Sequence, residues 1–156
     1  MKNLKKCLCL LLLVFVAVIV TGCGNDDTEK TMTCTRKATI SDGIKAEFKY
    51  VVKSKGNYVT VIDSTEKVIS DDESNLDAYK EQIESMYSPY KGIKYYNYDV
   101  SIDGNTLTSK VEIDYSKVDT AKLIEIDSAN ESLIKDGKIL VDDIKTLYES
   151  IGTTCK

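Results

Sequence analysis

From Cys34 onward the apolar side chains fall on every second residue. Cys34, Ala38 and Ile40 share one parity and Lys37 and Thr39 the other, a half-buried strand in which Arg36 departs from the apolar side. After the turn signal Ser41-Asp42-Gly43 the alternation is cleaner, with Ile44, Ala46, Phe48, Tyr50 and Val52 against Lys45, Glu47, Lys49 and Lys53. The two runs predict an antiparallel hairpin with one packed and one wet face. Ser54-Lys55-Gly56-Asn57 predicts another turn, and the β-branched and aromatic run from Tyr58 to Ile62, extending towards Ile69, a third strand.

The period then changes. Leu76, Tyr79, Ile83 and Met86/Tyr87 recur at three- and four-residue intervals, which predicts an amphipathic helix with its stripe on the sheet. Ser70 and Glu73 have capping-box spacing, Asp71, Asp72 and Glu73 suit the positive helix start, and Pro89 ends the helix by about Ser88. Beyond Gly92, Tyr96, Tyr98, Val100 and Ile102 alternate, Asp103-Gly104-Asn105 turns the chain, and Leu107, Val111, Ile113 and Tyr115 alternate back. Val118 to Ile126 fits either a short helix or an extended connection. A last helix is read from Leu140, Ile144, Leu147, Tyr148 and Ile151, with Asp142 and Asp143 in its first turn and Gly152 as its stop. The fold class is therefore α+β, an antiparallel hairpin sheet with helices on one face, in the order βββ-α-ββ-(α)-α.

The first segment follows a different logic. Lys2, Lys5 and Lys6 precede fourteen uninterrupted apolar residues, Cys7 to Val20, and then Thr21-Gly22-Cys23. In a helix that run rises about 21 Å, short of a hydrocarbon core of about 30 Å, so an export signal fits better than a permanent span. Val20-Thr21-Gly22-Cys23 resembles a bacterial lipobox, which implies cleavage before Cys23 and lipidation of its sulfur. The expected organisation is a signal peptide over residues 1–22, a lipidated N-terminus and polar tether over 23–32, and one globular domain over 33–156. Removing residues 1–22 takes three lysines and no acid, leaving 18 basic and 25 acidic residues, a net charge of −7. An anionic body is repelled by an anionic surface, so the expected anchor is the lipid on Cys23 and not a basic patch. The location implied is the extracytoplasmic face of the cell membrane.

Composition removes other classes. Without histidine there is no Ser-His-Asp or Cys-His set and no HExxH site. The acidic balance argues against nucleic acid as partner. Once Cys7, Cys9 and Cys23 are accounted for, Cys34 and Cys155 remain, the number one disulfide needs outside the cytoplasm. Two unpaired thiols or a metal pair are the alternatives, but two cysteines are too few for a closed zinc site.

Taken together, the lipobox cysteine, the Cys34-Thr35-Arg36 strand opening, the helix leading into Tyr90-Lys91-Gly92-Ile93 and the stretch Val111 to Asp119 resemble the YehR-like bacterial lipoproteins. That resemblance implies an α+β domain on a lipid anchor, with no established activity and no catalytic residues to transfer.

Chemistry-bearing groupings are few. Tyr87, Tyr90, Tyr95, Tyr96 and Tyr98 are half of the ten tyrosines. Tyr96 and Tyr98 fall on the core parity of their strand and Tyr87 under the helix, which leaves Tyr90 and Tyr95 as the candidate binding face for a glycan, peptide or planar ligand. Asp71-Asp72-Glu73 with Asp77, and Asp142 with Asp143, lack calcium-loop spacing and are explained as helix-start residues. Ser132 to Lys135 (SLIK) matches S-x-x-K without its companion motifs. No cofactor, metal or catalytic residue is assigned. The expected function is a non-enzymatic binding or interaction module for an envelope protein or glycan. The alternatives are a small-ligand or divalent-cation binding module and, more remotely, a carboxylate-dependent envelope hydrolase.

Overall fold

The computed structural model describes residues 28–156. Three long strands open the fold, β1 (Glu29–Ser41), β2 (Ile44–Lys55) and β3 (Tyr58–Ser70), followed by α1 (Glu73–Tyr87) and a 3-10 turn (Ser88–Tyr90). A second hairpin, β4 (Tyr96–Asp103) and β5 (Thr106–Asp114), leads to α2 (Thr120–Ile126) and a 3-10 turn (Ser128–Ser132). The chain closes with the small hairpin β6 (Ile134–Lys135) and β7 (Lys138–Ile139), α3 (Val141–Ser150) and β8 (Thr154–Cys155). Six strands pair antiparallel in the order β4-β5-β3-β2-β1-β8. The expected α+β class holds and the element order holds roughly: the ambiguous 118–126 segment contains helix α2, and the short strands β6, β7 and β8 are additions to the expected order.

One face of the sheet is covered, in two parts. Beneath α1 lie Ile44, Val68 and Leu107 with Leu76 of the helix, flanked by Tyr79, Ile83, Val100 and Ile102. The remaining cover, made by α2, β6, β7 and α3, closes over Cys34, Tyr50, Val52, Ile62, Tyr96 and Val111, contributing Leu123, Ile134, Ile139, Ile144 and Tyr148. Between the two, one row of the inner face crosses four strands as Arg36, Phe48, Glu66 and Ser109. Half of that row is charged.

Arg36, the departure from strand parity, is explained by this cover. Its guanidinium donates to the carbonyl of Ile151, the residue that caps α3, and lies 5.7 Å from the Phe48 ring centroid. A fixed cation at a helix C-terminus satisfies an orphan carbonyl and complements the dipole.

Several local expectations are corrected. β1 begins at Glu29, so residues 29–32, expected as tether, are paired with Lys55 to Val52; Cys23 and the expected signal peptide lie outside the described residues. Ile40, expected in the core, is 47% exposed because the β1–β2 register slips beside it and carries it past the covering layer. The α1 cap is Asp72, whose carboxylate accepts from the Ser74 amide at 3.0 Å, while Ser70 ends β3 and its hydroxyl accepts from the Asp72 amide. The expected Ser70–Glu73 capping box does not form. In α3 only Ile144 and Tyr148 are buried, and Leu140, Leu147 and Ile151 of the expected stripe stay exposed. A ten-residue helix over a sheet edge has too little partner surface for a wide stripe.

Cys34 and Cys155 are bonded to each other. They stand directly opposite on β1 and β8, flanked by the reciprocal amide bonds of Thr33 and Lys156, both 2.9 Å. The bridge spans 121 positions, so in the chain-entropy account it stabilises the fold by about 4–5 kcal/mol. Two measurements follow. Peptide mass mapping without reductant is expected to find Cys34 joined to Cys155, and Cys34→Ala with Cys155→Ala to lower the denaturation free energy by up to that amount. Leu76→Ala, at a side chain 1% exposed, is expected to cost about 2–5 kcal/mol in the same assay.

Candidate functional site

The tyrosine cluster divides by the direction in which each ring leaves the backbone. Tyr96 is buried and stacks on Tyr90 with centroids 4.7 Å apart, and Tyr87 meets Tyr98 at 5.7 Å. Tyr50 and Tyr148 stack at 4.3 Å, joining β2 to α3. Tyr90 is therefore half-buried against the core, whereas Tyr95 is 37% exposed with Lys94 and Lys117 at 4.9 and 5.5 Å from its ring. Tyr90 and Tyr95 have different partners and do not make the shared binding face expected of them. The physical reason is backbone: Tyr95 adopts φ 69°, a strained conformation for a non-glycine residue, which turns its ring out just before β4 begins.

Sequence reasoning missed Glu66 and its neighbours. On β3 the inner parity reads Ile62, Ser64, Glu66, Val68, Ser70, and those polar letters within an apolar alternation were the available signal. The Tyr50 hydroxyl donates to Glu66 Oε1 at 3.0 Å. Ser109 Oγ, across from Glu66, is buried beside the Tyr87 phenol yet makes no hydrogen bond of ordinary geometry. Burial pushes Tyr50 well above the ordinary phenol range, with the Glu66 charge and hydrogen bond adding to it. Burial likewise takes Tyr87 and Tyr148 up to about 12, again with Glu66 adding, and in Tyr148 with the Ser64 hydroxyl opposing. Tyr96 and Tyr115 are raised chiefly by burial. This layer is chemically quiet near neutral pH: its phenols are held neutral and their rings are used in stacking.

The uncovered face of the sheet is different in kind. Its central rows read Lys37, Glu47, Lys67, Thr108 and Thr35, Lys49, Thr65, Lys110 across β1, β2, β3 and β5. A depression of about 660 Å³ lies here, lined by Thr35, Lys37, Glu47, Lys49, Thr65, Lys67 and Thr154, together with Arg36, Phe48 and Gly152. Glu47 accepts from Lys37, and that bond, with the Lys37 charge, holds its carboxyl below the usual range. The alternation that turns Phe48 and Tyr50 inward forces Glu47 and Lys49 outward, so the strand pattern itself builds this surface. Such a face can offer ammonium and hydroxyl donors to an extended anionic partner.

The remaining candidates have structural work. Asp72 caps α1, Asp71 accepts from the Asn105 side chain at 3.2 Å, and Asp142 and Asp143 sit in the first turn of α3. Ser132 donates to the Ala129 carbonyl and Lys135 to the Glu131 carbonyl, so both polar ends of the SLIK match serve local turns. Among the described residues no group of three or more cysteines or acids is placed to hold a metal ion, and no helix is long and apolar enough to cross a membrane.

These features define an α+β domain with a six-stranded antiparallel sheet covered on one face. No protein-family model matches the chain, and no curated protein is similar to it. Among solved structures it is similar to the NMR structure of E. coli YehR, with 19% identity and a TM-score of 0.55 over 83% of this chain and 91% of that one. It is also similar to the NMR structure of a protein from Streptococcus pneumoniae TIGR4, with 16% identity and a TM-score of 0.52 over 90% and 92%. At these identities the likeness is one of fold, and the fold is YehR-like.

The raised phenols carry a pH consequence. A group that holds its proton more tightly in the folded chain contributes stability that is full below its unfolded value, here about pH 10, and is lost as pH rises through the folded values at and beyond about 12. In a spectrophotometric titration the phenolates of Tyr50, Tyr87, Tyr96, Tyr115 and Tyr148 are expected only above the ordinary range and together with loss of the folded circular dichroism. Glu66→Gln, which removes the charge, is expected to bring the Tyr50, Tyr87 and Tyr148 transitions down.

Proposed function

We propose that this chain is a membrane-anchored, extracytoplasmic bacterial lipoprotein whose folded domain is a non-enzymatic binding module, with the open sheet face taking an anionic partner of the cell envelope. The observation that carries the binding half is the depression lined by Lys37, Lys49, Lys67 and three threonines on an otherwise acidic protein. It is broad and open, a shape suited to a surface or polymer, and apart from Glu47, which is paired with Lys37, its polar groups are hydroxyls and cations. The anchoring half rests on the basic, apolar and lipobox sequence ending at Cys23. The Cys34–Cys155 bond supports it, since such bonds persist in oxidising compartments.

Each half has its own test. Metabolic labelling with a fatty-acid analogue is expected to mark the protein and to fail in Cys23→Ala; retained label in that variant rejects the anchor. Retention on an immobilised polyphosphate column is expected to be salt-sensitive and to fall several-fold in a Lys49→Glu, Lys67→Glu variant. Lys91→Glu, outside the depression, is expected to leave it unchanged. Equal loss in both variants rejects the sheet face as the binding surface.

A further inference from the structure

The two ends of the sheet differ in chemistry. At one end the turns are Ser41–Gly43, Asp71–Glu73 and Asp103–Asn105, which hold five carboxylates (Asp42, Asp71, Asp72, Glu73, Asp103) and no lysine. The opposite end is where β1 begins. Glu29 pairs there with Lys55, the β2–β3 turn leads into Tyr58, the Ser116 amide donates to the Thr60 carbonyl, and the Asp114 amide donates to the Tyr95 carbonyl. Tyr58 bridges Leu140, which brings the β7 end to the same place.

This end also holds Asp114 and Asp142, the first of them paired with Lys117 at 2.7 Å, but it displays two exposed phenol rings with ammonium groups beside them. Tyr58 is 45% exposed with Lys138 Nζ 4.7 Å from its ring centroid, and Tyr95 stands between Lys94 and Lys117. Leu140 is exposed beside Tyr58, and Lys30 and Lys55 belong to the same end. Tyrosine is favoured at a bilayer's headgroup level, where its ring is apolar and its hydroxyl wet, and lysine is drawn to anionic lipid. The first described strand, β1, also begins here. Glu29 is six residues on from Cys23, a reach of about 20 Å at full stretch.

We infer that the end of the sheet carrying Tyr58, Tyr95, Leu140 and Lys94, Lys117 and Lys138 is a membrane-contact surface that seats the domain upright on a bilayer containing anionic lipid. The inference rests on the lipid anchor at Cys23 proposed above. The anchor supplies nearness; the tyrosines and lysines supply orientation.

The chain contains no tryptophan, so one introduced indole reports on its own surroundings. The full-length lipidated protein would be reconstituted into vesicles of phosphatidylcholine and phosphatidylglycerol, part of the lipid brominated high on its acyl chains. Fluorescence of Tyr58→Trp is expected to be quenched by the brominated lipid and that of Ile40→Trp, at the far end, to be unaffected. Adding Lys94→Glu and Lys138→Glu to Tyr58→Trp is expected to reduce the quenching several-fold. Hydrogen exchange on the unsubstituted protein is expected to slow over residues 55–58 and 94–95 when anionic vesicles replace detergent. Equal quenching at the two positions, quenching indifferent to charge reversal, or unchanged exchange overturns the contact surface. Fatty-acid labelling of the same preparations separates that result from failure of the anchor: a labelled protein that does not orient rejects this inference alone, and an unlabelled one rejects the reading beneath it.

Discussion

Closure of the sheet by its last residues is the constraint on which the C-terminal layer depends. β8 is two residues long and pairs only with the middle of β1, through Cys34 opposite Cys155 and the flanking amides of Thr33 and Lys156. A strand that short has little pairing energy of its own, and the covalent bond fixes its register. Fixing it also fixes α3, which ends just before it. Arg36 can then reach the Ile151 carbonyl, and Tyr148 can lie flat on Tyr50. Cover over half the core thus follows from one cross-link made at the sheet's edge.

Covering one face only decides where the chemistry goes. The inner face spends its aromatic residues on stacking and places its one carboxylate, Glu66, where it accepts from Tyr50. The outer face receives whatever the other parity carries, and in its central rows over β1, β2 and β3 that is lysine and threonine with the single carboxylate Glu47. The domain is acidic as a whole, yet lysines outnumber carboxylates among the residues its strands turn outward at the centre.

Much of this was legible in the sequence, and the rest was hidden for a common reason. Alternation in β2 gave both the strand and its buried set, Ile44, Ala46, Tyr50 and Val52. The spacing of Leu76, Tyr79 and Ile83 gave α1, and Asp103-Gly104-Asn105 gave the second turn. Periodicity reports the side on which a residue leaves the backbone; it does not report how far the opposing layer extends. Ile40, Leu140, Leu147 and Ile151 all leave on the apolar side and all run past the cover. Arg36 and Glu66 show the converse, charged residues on the inner parity that find a helix end and a phenol contributed by distant segments. Tyr90 and Tyr95 were misjudged as a pair because their directions depend on a positive φ at Tyr95 that no residue type announced.

Net charge misleads in the same way, because it discards position. A value of −7 for the segment after Gly22 suggests that an anionic bilayer repels the domain. Electrostatic reach in physiological salt is only about 8 Å, however, and thirteen residues of β1 span about 43 Å. With the Tyr58 end seated on a membrane, the carboxylates at Asp42, Asp71, Asp72, Glu73 and Asp103 stand several screening lengths away. The lipid then meets Lys94 and Lys138, with Lys117 beside them paired to Asp114, while the open face, parallel to the strands, remains clear of the bilayer along most of its length. The proposed anchor at Cys23, the polarity of the sheet's two ends and the sidedness of its cover are therefore compatible with one arrangement. In it, membrane contact and partner binding use different surfaces of the same small domain.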